Sequence, residues 1–245
     1  VILCARSGEF FLGNFTCFHR KGREGREGFL KFLCAFCDLR GENIRYHCPM
    51  LEWFPKSTPL ESYLDKLGQP PSNFNPEQPI DPTWHVDQHE VPLGPDQEGL
   101  FARAVDLLLR YQFYPPSVMH FTGDFVRENR HLRIRDRVVQ RIHIIPGLLD
   151  VVTMNRVTST LAEPNRIGFT YTTTEQQLEM GEWTATVIRK RPSTGSEGRV
   201  MLVMYAVSKP GPKMPGWARP FARAFQLRAH RLGMEYFVEN VKRKS

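Results

Sequence analysis

At 245 residues, with a hydrophobic fraction of 41%, 19 prolines and a formal charge of +7, the chain is long enough for one or two domains, with part of its length outside any core. Its five cysteines all lie in the first 48 residues, and an odd set argues against a simple secreted disulfide scaffold. No apolar run approaches the roughly 18–20 residues that span a bilayer, so no transmembrane segment is expected.

Residues 1–50 form a Cys-containing N-terminal extension that mixes short apolar pieces with the stretch KGREGREG, and they carry a net charge of +3. The chain begins at Val1, so a removed leader or a fragment is the expectation. Arg6, Arg20, Lys21, Arg23, Arg26 and Lys31 point to an organellar address, a mitochondrion ahead of a plastid, and Glu9, Glu24 and Glu27 weaken it. Cys34-Ala35-Phe36-Cys37 has metal or redox spacing, and His47-Cys48 would add ligands to close a zinc site. The flanks Leu30, Phe32, Leu33 and Phe36 are apolar and there is no second CxxC, which favours small buried thiols and no cofactor.

Residues 51–96 hold nine prolines, the stretch 51–100 carries a net charge of −7, and the sequence here reads as an extended acidic arm with one helical piece at Leu60–Leu67. Such an arm cannot offset its own conformational entropy, roughly 1–2 kcal/mol per residue, and must dock on its own domain or on a partner. His85 and His89 stand four apart, but extended backbone does not place them on a helical face for a shared metal.

Residues 97–245 read as a basic α+β domain, of which 101–245 carry a net charge of +11. Leu100, Phe101, Ala104, Leu107 and Leu108 recur at helical spacing, and Tyr114-Pro115-Pro116 ends that helix. Strands are expected over 118–126, 137–145, 153–161, 167–173, 182–190 and 200–208, with a turn at Glu163–Arg166 and a looser connection over 192–198. A closing helix over 217–241 carries the stripe Trp217, Phe221, Phe225, Ala229, Leu232 and Tyr236. The fold class is therefore α+β, a curved antiparallel sheet gripping a long C-terminal helix, with an irregular N-terminal extension. The segment Val200–Val207 has no charged residue on either face, so both its sides need cover, from the protein's own elements or from a partner.

Several short motifs in this region recur in one order. They are Leu93-Gly94, Leu107–Tyr111, Tyr114-Pro115-Pro116, Asp136–Val139, Asn155-Arg156-Val157, Gly168–Tyr171, Gly181-Glu182 and Ser208-Lys209-Pro210, with Arg223 and Gln226 in the last helix. Over about residues 83–241 the chain resembles the domain-of-unknown-function family numbered 1990, also called UPF0548. The resemblance implies a relative of the helix-grip folds, which often enclose an apolar ligand, and it implies no established activity. Gln177 stands where relatives carry a histidine, and Trp183 stands where a second acidic residue often follows Glu182. Any acid–base role for that ring is therefore absent.

Asn155, Arg156, Tyr171, Thr173 and Glu182 fall on adjacent strands and are the candidate polar end of a ligand pocket; mutual satisfaction across the sheet is the competing reading. Arg133, Arg137, Arg141 and His143 alternate onto one strand face, and with Arg223 and Arg228 of the last helix they form a candidate docking face for an anionic partner. A solvated sheet face is the alternative. No nucleophile–base pair, phosphate loop or paired carboxylates argue for catalysis. Two functions are consistent with this. One is a non-catalytic accessory subunit of an organellar assembly, docking on other protein subunits, RNA or anionic lipid through its arm and basic face. The other is a carrier or sensor of a small apolar ligand held between sheet and closing helix.

Overall fold

The computed structural model describes residues 2–4, 10–12, 51–53, 58–97, 99–175, 177–190, 198–214 and 216–243. The chain divides into two compact units, Val1–His47 and Cys48–Ser245. In the first, β1 (Ile2–Cys4) pairs antiparallel with β2 (Phe10–Leu12).

The second unit is built on one antiparallel sheet. Its elements are β3 (Leu51–Trp53), α1 (Glu61–Leu67), β4 (His85–Pro95), α2 (Leu100–Leu109), β5 (Met119–Gly123) and the short α3 (Asp124–Arg127). They continue with β6 (Arg137–Ile145), β7 (Leu149–Glu163), β8 (Arg166–Thr173), β9 (Glu179–Lys190), β10 (Arg199–Pro210) and α4 (Arg219–Arg243). Strand order is β4-β10-β9-β8-β7-β6-β5, an open curved sheet, and β3 joins the start of β7. β8 begins to pair only at Asn155, which leaves Leu149–Val151 free for β3.

The inner face packs on α2 and α4. Helix α2 forms as its spacing predicts, with Leu100, Phe101, Ala104, Leu107 and Leu108 all buried. Val200, Leu202, Met204 and Ala206 of β10 join the same core. On α4 the buried face is Ala229, His230, Gly233, Phe237 and Val241, so the expected stripe has drifted: Phe221 is 47% exposed. From Ala229 the contact row continues through Gly233, Phe237 and Val241, and the step of three in the expected stripe leaves Leu232 and Tyr236 half-buried at its border. Gly233 lies where α4 crosses the core, and a Cβ there would meet the Phe113 ring at 2.5 Å.

The stretch expected to be an extended linker is instead part of the sheet. β4 pairs with β10 from Arg199↔Pro95 to Ser208↔His85. Its prolines are tolerated because β4 is an edge strand, and the register shifts at Pro92, with Leu93 extra. Leu60, just ahead of α1, and Leu64 within it cover Val139, Val152 and Met154 on the outer face, forming a second core. Phe74 and Trp84 cover Val207 there, so the protein's own chain covers this end of the doubly apolar strand.

The strand expected over 118–126 stops at Gly123 and continues as α3. Asp124 accepts the backbone N–H of Arg137 at 2.9 Å and grips its guanidinium at 2.6 Å, which draws the chain out of the strand path.

Gly181 in β9 holds φ at +153°, and a Cβ there would sit 1.9 Å from the Val207 carbonyl oxygen. Gly181→Ala is therefore expected to destabilise the fold by on the order of 2–5 kcal/mol, from backbone strain plus overpacking. A shift of the urea midpoint at unchanged m-value measures it.

Candidate functional site

Between the inner face of the sheet and α4 lies a cavity of about 180 Å³. Alternation along β6, β7, β8 and β9 turns Gln140, Thr153, Asn155, Tyr171 and Glu179 to this side. The apolar wall is Ile142, Val151, Trp183, Met214 and Phe225.

A polar belt runs along one wall. Thr153 Oγ1 donates to Gln140 Oε1 at 3.0 Å, and Gln140 Nε2 donates to the Tyr111 hydroxyl. Tyr111 is fully buried with φ at 60°, a strained backbone that fixes its ring beneath the cavity. It meets Phe121 at 5.1 Å and Tyr171 at 6.2 Å between ring centres. Tyr171 stacks on Trp183 at 5.2 Å. Burial pushes the Tyr171 hydroxyl up to about 12, so it stays a neutral donor at physiological pH. Gln177 Nε2 donates to Asn155 Oδ1 and to the Met154 carbonyl. The residue standing in place of the expected histidine thus holds a carboxamide in position.

A clasp closes one end. Both Arg223 guanidinium arms donate to the Asp87 carboxylate at 2.6 Å, joining α4 to the edge strand. Arg223 also donates to Gln226 Oε1 at 2.7 Å, and Gln226 Nε2 donates to Ser208 Oγ at 2.9 Å. Bonding to Arg223 holds the Asp87 carboxyl below its ordinary range. His230 is buried with Nδ1 3.9 Å from Asp87, and burial pushes its imidazole down to about 4.

Glu179 was not among the residues expected here. The expected strand began at Glu182, which left Glu179 in a loop and hid its alternation with Gly181 and Trp183 on one face. Burial pushes its carboxyl up to about 7, with Arg223 pulling it down and Asp87 pushing it up.

Of the five candidate pocket residues, Asn155, Tyr171 and Thr173 line the cavity. Thr173 Oγ1 also accepts the Gly181 N–H at 2.8 Å, so it fixes the strand edge as well. Arg156 alternates to the other face and donates to Gln69 at 2.8 Å. Glu182 belongs to the wall, but its side chain faces the opposite way, across from Thr172 and Val207, and burial pushes its carboxyl up.

Arg137, Arg141 and His143 share the outer face of β6, as alternation predicts, but that face is covered, and Arg133 lies ahead of the strand. Arg137 is held by Asp124 and by the carbonyls of Leu64 and Gly68. Arg141 donates to Glu52 at 2.8 Å and to the Thr58 carbonyl at 2.6 Å. His143 pairs with Asp150 at 2.9 Å, and Arg223 is engaged by Asp87. Arg133 and Arg228 alone of the six point to solvent. The row is internal glue, because α1 and β3 supply its acceptors.

Cys34, Cys37 and Cys48 lie outside the described residues. Among the described residues no group of three or more His, Cys, Asp or Glu gathers as a metal site, and no helix is long and apolar enough to cross a membrane. His85 and His89 both lie on β4.

The architecture is α+β of the helix-grip class, with its cavity in the grip. The chain belongs to the family described as a domain of unknown function, DUF1990, whose model matches residues 70–235. Among solved structures it is similar to the hypothetical protein jhp0584 from Helicobacter pylori, at 12% identity over 64% of this chain and 84% of that one, with a TM-score of 0.40. Truncated norcoclaurine synthase from Thalictrum flavum is similar at 10% identity, over 67% of this chain and 97% of that one, with a TM-score of 0.40. Ara h 8.0201 is similar at 8% identity over 64% and 99%, with a TM-score of 0.37. No curated protein matches the chain.

Proposed function

We propose that the protein is a carrier or sensor that binds one small, largely apolar molecule in the grip between its sheet and α4. The carrying observation is the cavity of about 180 Å³ in the grip, where a protein interior is ordinarily close-packed. An enclosed apolar space of roughly 150 Å³ already admits a benzene ring. An apolar wall with a few convergent polar groups is the usual composition of such sites. The belt of Gln140, Thr153, Asn155 and Gln177 supplies orientation, because its amides are held by one another and by Tyr111.

An accessory subunit docked through its arm is the second reading; α1 and β4 find their surface within the same unit and do not require a partner's.

Native mass spectrometry of the full chain purified from its source cells tests the proposal. A bound small molecule is expected, and Ala222→Phe, which fills the cavity from α4, should lower its occupancy at least about tenfold, the effect of roughly 1.4 kcal/mol. Equal occupancy in the variant, or no retained molecule together with no uptake from an apolar extract, would count against it.

A further inference from the structure

The cavity reading leaves open which chemical class the ligand belongs to, and the charges around the cavity narrow it. The protein carries a net charge of +7, yet among the described residues no Lys or Arg lines the cavity. Arg223, the cation beside it, is held by both oxygens of Asp87, so that pair is internally balanced. His230 on α4 is the lining imidazole, and burial keeps it neutral at physiological pH. Glu179 is different: it lines the cavity half-buried, and among the described residues no hydrogen bond or ion pair engages its carboxyl, which feels only the field of the already engaged Arg223. A carboxyl in low-dielectric surroundings without a partner is costly in its ionised form, unless something that enters the cavity supplies the missing charge. The rings of Tyr114, Tyr171, Trp183 and Phe225 form much of the remaining surface, and their faces attract cations.

We propose that the ligand is a compact apolar amine, seated with its ammonium group against Glu179 and its body against Trp183, Phe225 and Ile142. A carboxylic acid of the same size is excluded electrostatically, because among the described residues no unpaired cation lines the cavity and Glu179 repels it. The proposal rests on the cavity reading above and is separable from it by choice of probe.

Isothermal titration of the full chain at about pH 8 with benzylamine, benzyl alcohol and benzoate makes the test, three probes of nearly one shape and three charges. Benzylamine should bind about tenfold or more tighter than the other two, the range for a hydrogen bond to a charged group. In Glu179→Gln the amine and the alcohol should converge to within about twofold. Benzoate binding as tightly as benzylamine, or an amine preference untouched in Glu179→Gln, overturns the amine assignment while leaving the cavity reading intact. Failure of all three to bind overturns both. Should Glu179→Gln not fold, the order of the three affinities in the unmodified protein still decides.

Discussion

Asp87→Ala should unfold the protein more readily by about 3 kcal/mol, the low end of the range for breaking a buried ion pair. Asp87 is 8% exposed and its partner Arg223 keeps 24% of its side chain in solvent, so the stranded guanidinium recovers part of its hydration. The loss is larger than a surface pair would give, because the bidentate bond ties α4 to the outermost strand and orients Gln226 on Ser208. Replacing both partners by apolar residues, Asp87→Leu with Arg223→Met, should restore most of the stability, since the penalty comes from the uncompensated charge. Urea denaturation of the single and double variants measures both. Because bonding to Arg223 depresses the Asp87 carboxyl in the folded state, its contribution is fully present above the ordinary value of 3.8 and is lost as pH falls below it.

Glu179→Gln should do the opposite and stabilise the protein at alkaline pH. The folded-state carboxyl titrates at about 7 against 4.5 when unconstrained. A raised carboxyl contributes most below its unfolded value and loses that contribution as pH rises through the folded one. At about pH 8 the loss amounts to roughly 3 kcal/mol, which glutamine does not suffer. Near pH 4.5 the two proteins should be about equally stable. His230 runs the other way: it titrates at about 4 in the fold against 6.5 outside it, so its contribution is complete above 6.5 and declines as pH falls toward 4. The opposing slopes should keep the parent protein's pH profile flat between those values, and Glu179→Gln should steepen it. Urea midpoints across that window check this, and a difference between the proteins that does not change with pH would refute it. A residue that weakens the fold at neutral pH fits a role in binding better than one in packing.

Much of the framework was legible in the sequence because its periodicity was undisturbed. Helix α2 and strand β6 run where spacing and alternation put them, since Leu100–Leu108 keep their apolar period and Val138, Ile142 and Ile144 keep theirs around Gln140. β4 was hidden because Pro92 and Pro95 normally forbid a ladder, and only an edge position with a bulge admits them. That omission spread. With α1 and β3 set aside as linker, Arg137 and Arg141 had no visible acceptors and looked like a surface for anions. The cavity residues were found where polar side chains interrupt apolar strands, as at Asn155 and Tyr171. Glu179 was lost because an acidic residue three places before the expected strand carries no signal of its own; only the register with Pro210 reveals its face.

Glu52, Leu60 and Leu64 lie ahead of residue 70, where the stretch shared with the family begins. They behave as a patch riveted over the back of β6 and β7, two guanidinium rivets set in a greasy seam. Stripped of it, Val139, Val152 and Met154 would lie bare to water, and the chain would present a sticky back where it now presents a sealed one.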